Sequence, residues 1–115
     1  MQLDELTRII VDTLNDMKAY DITVLDVEKL TSFTDTMIIA TGQSDRQVKS
    51  LASKVLERIK HEHHEVLGVE GIDQGQWALL DFGDAIVHVM HPDTRKYYQL
   101  EKLWSIEERD DVKSF

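Results

Sequence analysis

The sequence predicts one domain of mixed α/β (α+β) class: a mixed β-sheet with helices packed on it. Three observations carry this. Apolar residues recur at helical spacing in two long stretches, short β-rich runs stand between and after them, and two of those runs are joined by a Gly-Asp pair that suits a tight hairpin turn. A chain of 115 residues fits one domain and leaves no room for two. The domain is expected to span residues 1–105, with residues 106–115 as an acidic, mobile C-terminal tail.

Leu3, Leu6, Ile10, Leu14 and Met17, with Ile9 beside them, give an amphipathic first helix ending near Ala19. Ile22 to Val27 reads as a short strand. Thr36 to Thr41 is almost continuously apolar, the pattern of a strand covered on both faces. Gly42 breaks that run. Ser44 then serves as N-cap of a second helix, with Gln47 completing a capping box. Val48, Leu51, Ala52, Val55, Leu56 and Ile59 form its apolar stripe, and the helix should fray in the polar run His61 to Glu65. Val66 to Gly71, Trp77 to Phe82 and Ala85 to Met90 read as strands, the last two joined by Gly83-Asp84. Pro92 opens a turn or short helix, and Tyr97, Leu100, Leu103 and Trp104 read as a final helical stripe. The predicted order is α-β-β-α-β-β-β-α, with no repeat and no low-complexity linker.

The formal net charge is −9, so a phosphate backbone would repel this surface and direct groove binding to nucleic acid is not expected. A basic protein would be attracted and steered, although the same acidity also serves plain solubility. There are no cysteines, which excludes disulfides, thiolate metal sites and a cysteine nucleophile. No apolar run approaches the roughly 20 residues of a membrane helix. Met1 to Glu5 shows neither a signal-peptide core nor Arg-rich, acid-poor transit character.

A two-residue hairpin pairs Phe82 with Ala85, Asp81 with Ile86, Leu80 with Val87, Leu79 with His88, Ala78 with Val89 and Trp77 with Met90. Alternation then places Ala78, Leu80, Phe82, Ala85, Val87 and Val89 on one wholly apolar face, which belongs against the helices. The other face carries Trp77, Leu79, Asp81, Ile86, His88 and Met90. Left uncovered, such an amphipathic face with a tryptophan marks a protein interface. Covered by the final helix, it would be ordinary core.

Catalytic readings are weaker. His61 to Glu65 resembles a zinc-helix motif, but the position that needs a second histidine is Glu65, and an exposed helix end explains the run. Asp81-Phe82-Gly83 matches the magnesium triplet of kinases without any other kinase part. Thr41 to Ser44 leads from a strand into a helix N-terminus and could cradle an anion in a nucleotidyltransferase or phosphate-ester hydrolase. Such enzymes need paired carboxylates on the following strand, and Val66 to Glu70 offers one. Ser44, Asp45 and His88 lack a nucleophile elbow, and capping already accounts for Ser44. No metal and no cofactor are expected.

Thr34-Asp35-Thr36-Met37-Ile38-Ile39-Ala40-Thr41-Gly42-Gln43-Ser44-Asp45-Arg46-Gln47-Val48 resembles the signature T-D-x-x-[VI]-[IV]-A-[ST]-G-x-S-x-R-Q-V of the ribosomal silencing factor (Iojap-like) family. Glu70-Gly71, Gly75-Gln76-Trp77, Leu80 to Asp84 and Val87-His88-Val89 are similar to that family's E-G, G-x-W, L-D-x-G-D and V-H blocks. Arg95 to Trp104 is similar to its closing R-x-[FY]-Y-x-L-E-x-L-W. The resemblance implies a nucleotidyltransferase-like mixed sheet without the catalytic carboxylates, and a non-enzymatic translational repressor. It implies binding to the large ribosomal subunit through the basic ribosomal protein uL14 at the inter-subunit face, with steric exclusion of the small subunit. It also implies a homodimer as a free state. Organellar relatives act in large-subunit biogenesis, and the absent transit character points here to a bacterial, cytoplasmic protein.

The resemblance supports a docking surface in general; alternation selects its residues. Trp77, Leu79, His88 and Met90 are expected to form the anchor, and Asp81, Asp84 and Glu70 its acidic complement. Asp84 is equally a turn residue, Arg46 and Gln47 are equally holders of the preceding loop, and Tyr98 and Trp104 read as core or dimer contacts.

Overall fold

The computed structural model describes residues 4–100 and 102. Leu3, the stripe residues Leu103 and Trp104, and the acidic tail lie outside the described residues. The elements are α1 (Glu5–Asp16), β1 (Tyr20–Asp26), β2 (Thr36–Thr41), α2 (Asp45–His61), β3 (Gly68–Glu70), β4 (Trp77–Asp81), β5 (Ala85–Met90) and α3 (Pro92–Tyr98), in the predicted order. The five strands form one sheet in the order β1-β2-β5-β4-β3. Only β2 and β5 run parallel, so the sheet is mixed.

Asp4 caps α1 by accepting the Thr7 N–H at 2.7 Å. The helix stops at Asp16 rather than near Ala19 because Lys18 turns left-handed, with φ 69°. The Lys18 N–H then bonds the Asn15 carbonyl and the Ala19 N–H the Leu14 carbonyl, a Schellman closure. The chain reverses early enough for β1 to begin at Tyr20, ahead of the expected Ile22. The end of α2 repeats the device. His63 is left-handed at φ 64°, and the N–H groups of His63 and His64 bond the carbonyls of Lys60 and Ile59. The helix ends inside the His61 to Glu65 run, as the sequence predicts, and the first residues of that run form a closed helix cap.

At the start of α2, Ser44 accepts the Gln47 N–H at 3.1 Å, while the Gln47 side chain reaches back to the Gln43 N–H at 2.6 Å. The reciprocal box expected from the sequence is present, shifted by one residue on the return bond. The Gln47 amide also donates to the Met17 and Lys18 carbonyls, which ties the two helix ends together. Gly42 lets the chain pack tightly on α2: a Cβ there would lie 3.0 Å from the Val48 nitrogen.

Ile10 and Leu14 of α1 and Val48, Leu51, Val55 and Ile59 of α2 bury against Ile38, Ala40, Ala78, Leu80, Phe82, Ala85, Val87 and Val89. This is the inner face, and it includes the whole apolar hairpin set predicted from alternation. A second, smaller cluster on the outer face joins Val27, Met37, Ile39 and Met90, with Leu25, Leu30, Trp77 and Leu100 packed on it. All six residues of β2 are buried because it lies between these two clusters.

Candidate functional site

The β4–β5 hairpin has the register that the sequence predicts: Trp77 opposite Met90, Leu79 opposite His88, Asp81 opposite Ile86. Gly83 takes φ 86° at the turn, and the Phe82 N–H bonds the Ala85 carbonyl at 2.9 Å. Asp81 steadies the turn by accepting the Gly83 N–H at 2.9 Å. The kinase-like triplet Asp81-Phe82-Gly83 is thus a hairpin corner. Asp84 uses its carbonyl to accept the N–H groups of Asp35 and Thr36, which joins the turn to the start of β2 and leaves its side chain exposed.

The outer face is neither open nor closed. Trp77, Leu79, Asp81 and Ile86 are half-buried, and Glu70, cross-strand from Leu79, is exposed. Met90 is 0% exposed and His88 is 6% exposed. These two are a correction to the expected anchor: neither offers its side chain to the protomer surface. The loop after β1 folds Val27 and Leu30 over Met37, Ile39 and Met90, and Leu100 closes the same pocket. Apolar cover is thereby drawn from parts of the chain that hairpin alternation does not contain. The surface that remains is the β4–β3 half of the face, with Ile86 beside it.

Buried His88 supports that surface from beneath. Its Nδ1 accepts the Trp77 indole N–H at 2.9 Å, which fixes the indole in place. Burial pushes the imidazole down from its ordinary 6.5 to about 4, so His88 is neutral at neutral pH, as an Nδ1 acceptor must be. Tyr98 of α3 also packs against the indole, with ring centroids 4.8 Å apart. Trp77 is therefore held by a hydrogen bond and by a ring contact, while part of its surface stays accessible.

Of the two expectations for Tyr98, core or dimer contact, the structure corrects the first: it is 53% exposed and rests against Trp77. It reaches there because α3 is pinned across the sheet end. Arg95 donates to the Thr41 hydroxyl at 2.7 Å, the Thr23 hydroxyl at 3.0 Å and the Asp21 carbonyl. On the opposite flank Thr94 donates to Gln76, and Gln76 donates to Asp45 at 2.8 Å. The signal for this arrangement was a pair of residues, Arg95 and Tyr98, three apart in the closing motif.

Two N–H groups of the turn from Thr41 to Ser44 are already engaged, and the Ser44 hydroxyl serves as an acceptor. Gly42 N–H bonds the Met90 carbonyl, Gln43 N–H the Gln47 side chain, and Ser44 caps α2. Asp45 is committed to Gln76, and His88 faces Trp77, so Ser44, Asp45 and His88 do not form a catalytic set. Among the described residues no group of three or more His, Cys, Asp or Glu side chains is placed to hold a metal ion. No described helix is long and apolar enough to cross a membrane.

Comparison with known proteins gives a consistent picture. Residues 1–115 match the family model described as "Ribosomal silencing factor during starvation". A Chromobacterium violaceum protein named ribosomal silencing factor RsfS is 45% identical over 104 residues, covering 90% of this chain and 85% of the relative. A mouse protein named for mitochondrial assembly of the ribosomal large subunit is 33% identical over 105 residues, covering 89% of this chain and 46% of the relative. Among solved structures, a crystal structure of a Chromobacterium violaceum protein, 45% identical, superimposes with a TM-score of 0.87 over 91% of this chain and 88% of that one.

Proposed function

We propose that this chain, which belongs to the ribosomal silencing factor family, represses translation by docking on the large ribosomal subunit through the β4–β3 half of its outer sheet face. The basic protein uL14 at the inter-subunit face is the proposed partner, and the docked domain excludes the small subunit by its bulk. The observation that carries this reading is the Trp77 indole, clamped by His88 and Tyr98 yet partly accessible, beside half-exposed Leu79 and Ile86. A tryptophan fixed before contact loses little freedom on binding, which is what an anchor requires.

Asp81, Asp84 and Glu70 surround that patch with acidic groups in a chain of net charge −9, complementary to a basic partner. Met90 and His88 take a supporting role under the patch. The proposed chemistry is recognition without catalysis, and the proposed place of action is the bacterial cytoplasm. The resemblance to a homodimeric free state extends the proposal to two copies of the chain before docking.

Co-sedimentation with isolated large subunits tests the reading. Wild-type protein should pellet with them, and Trp77→Ala should weaken binding by about 30-fold or more, the effect of losing a buried aromatic anchor. Leu79→Ala, which leaves the His88 clamp intact, should weaken it by a smaller factor. Binding by both variants at the wild-type level would reject this face as the docking surface.

A further inference from the structure

Resting on the docking reading above, we propose that α3 extends the sheet surface into a receptor for an arginine side chain of the basic partner, built from Tyr97, Tyr98 and Asp93.

The helix divides its residues among three directions. Pro92, Arg95, Lys96 and Gln99 line a cavity with Tyr20, Asp21 and Thr41, so both α3 cations lie on the β1 flank. Thr94 and Tyr98, one turn apart, face β4 through Gln76 and Trp77. Asp93 and Tyr97, also one turn apart, take the remaining outward direction. Tyr97 is 79% exposed and Tyr98 is 53% exposed. Their rings meet edge to face at 4.9 Å and 80°. With the Trp77–Tyr98 contact, the three aromatics make one continuous strip running from the half-buried sheet surface outward along α3.

Tyr97 has no core to fill, and most of its surface is open to solvent. The Asp93 side chain, 93% exposed, has His91 at 3.9 Å as its neighbour on the chain. A planar cation lying on the Tyr97 ring is therefore within one helical turn of a carboxylate. Guanidinium suits this better than ammonium: it is flat, weakly hydrated, stacks on an aromatic face and presents N–H groups at its edge to a carboxylate. The strip is continuous with the proposed docking surface, and the chain's charge of −9 favours a basic occupant over a second copy of itself.

The test uses the full chain and isolated large subunits in an equilibrium binding titration. Tyr97→Phe keeps the ring and should bind within about twofold of wild type. Tyr97→Leu keeps apolar area without the ring face and should bind about three- to fivefold more weakly, as should Asp93→Asn. The double variant should lose less than the product of the two single losses, because both groups hold one side chain. Thermal melts of the exposed-site variants provide the fold control. If wild type binds and Tyr97→Leu binds equally well, the surface ends at the sheet and the proposal falls while the docking reading stands. If Tyr97→Leu alters only self-association in sedimentation equilibrium, the rings join two copies and the proposal likewise falls. If wild type itself does not bind large subunits, both readings fall together.

Discussion

The inner face of the sheet is closed by two long helices, whereas the outer face is only partly covered, by a loop and the end of the seven-residue helix α3. Inside, strand residues such as Leu80 and Val87 meet continuous helical stripes and have no exposure. Outside, Val27, Leu30 and Leu100 cover Met37, Ile39 and Met90, and the cover stops at Trp77. α3 itself has no buried residue; Arg95, Thr94 and Tyr98 hold it by contacts at its edges. One face is thus built for stability, and the other is left partly finished at Trp77, the place proposed for docking. Local stability follows the same division, since few buried apolar contacts mean low opening free energy.

The comparison is sharpest between neighbours on β4. Leu80→Ala removes a fully buried side chain from the inner cluster and should cost about 3 kcal/mol in chemical denaturation. Leu79→Ala, one residue earlier and half-buried, should cost about 1 kcal/mol or less. Equal costs would erase the difference between the faces.

Among the described residues His88 is the outer face's one deeply buried ionisable group, and it makes that face sensitive to acid. Its pKa lies near 4 in the folded chain because burial disfavours the imidazolium, against 6.5 when unfolded. Between those values the unfolded chain binds the extra proton, so stability rises with pH there. The contribution is complete above about pH 6.5 and is lost as pH falls toward 4, a total on the order of 3 kcal/mol. Urea denaturation from pH 4 to 7 should show a shallower stability slope for His88→Gln than for wild type. Parallel slopes would mean that burial does not hold this imidazole neutral.

These differences mark what the sequence could and could not disclose. The β4–β5 register was legible because alternation leaves one assignment that buries Ala78, Leu80, Val87 and Val89 together. The bounds of β2 and the Ser44 cap were legible for similar local reasons. The burial of His88 and Met90 was not, because their cover comes from Val27, Leu30 and Leu100, which are distant in sequence and share no period with the hairpin. The end of α2 inside the His61 to Glu65 run was legible, but the closed caps at Lys18 and His63 were not, because a left-handed C-terminal residue is usually glycine, and here it is not. The Trp77–His88 bond was hidden in plain view: the two lie on the same predicted face, but nothing local says that an indole on one strand will reach diagonally to an imidazole on the next.

A comparably small effect concerns the ring that ends the cover. Tyr98→Ala removes the aromatic contact at 4.8 Å from Trp77 and should cost about 1 kcal/mol, the size of one aromatic pair. In a Trp104→Phe background the remaining emission comes from Trp77, so the same variant should shift that emission to the red as water reaches the indole. Leu80→Ala, measured where it is still folded, should leave the emission unchanged because its cavity opens on the inner side. A red shift in both variants would mean that the indole senses the whole sheet rather than its own cover. A shift in neither would mean that Tyr98 shields nothing, and the clamp on Trp77 would reduce to His88 alone.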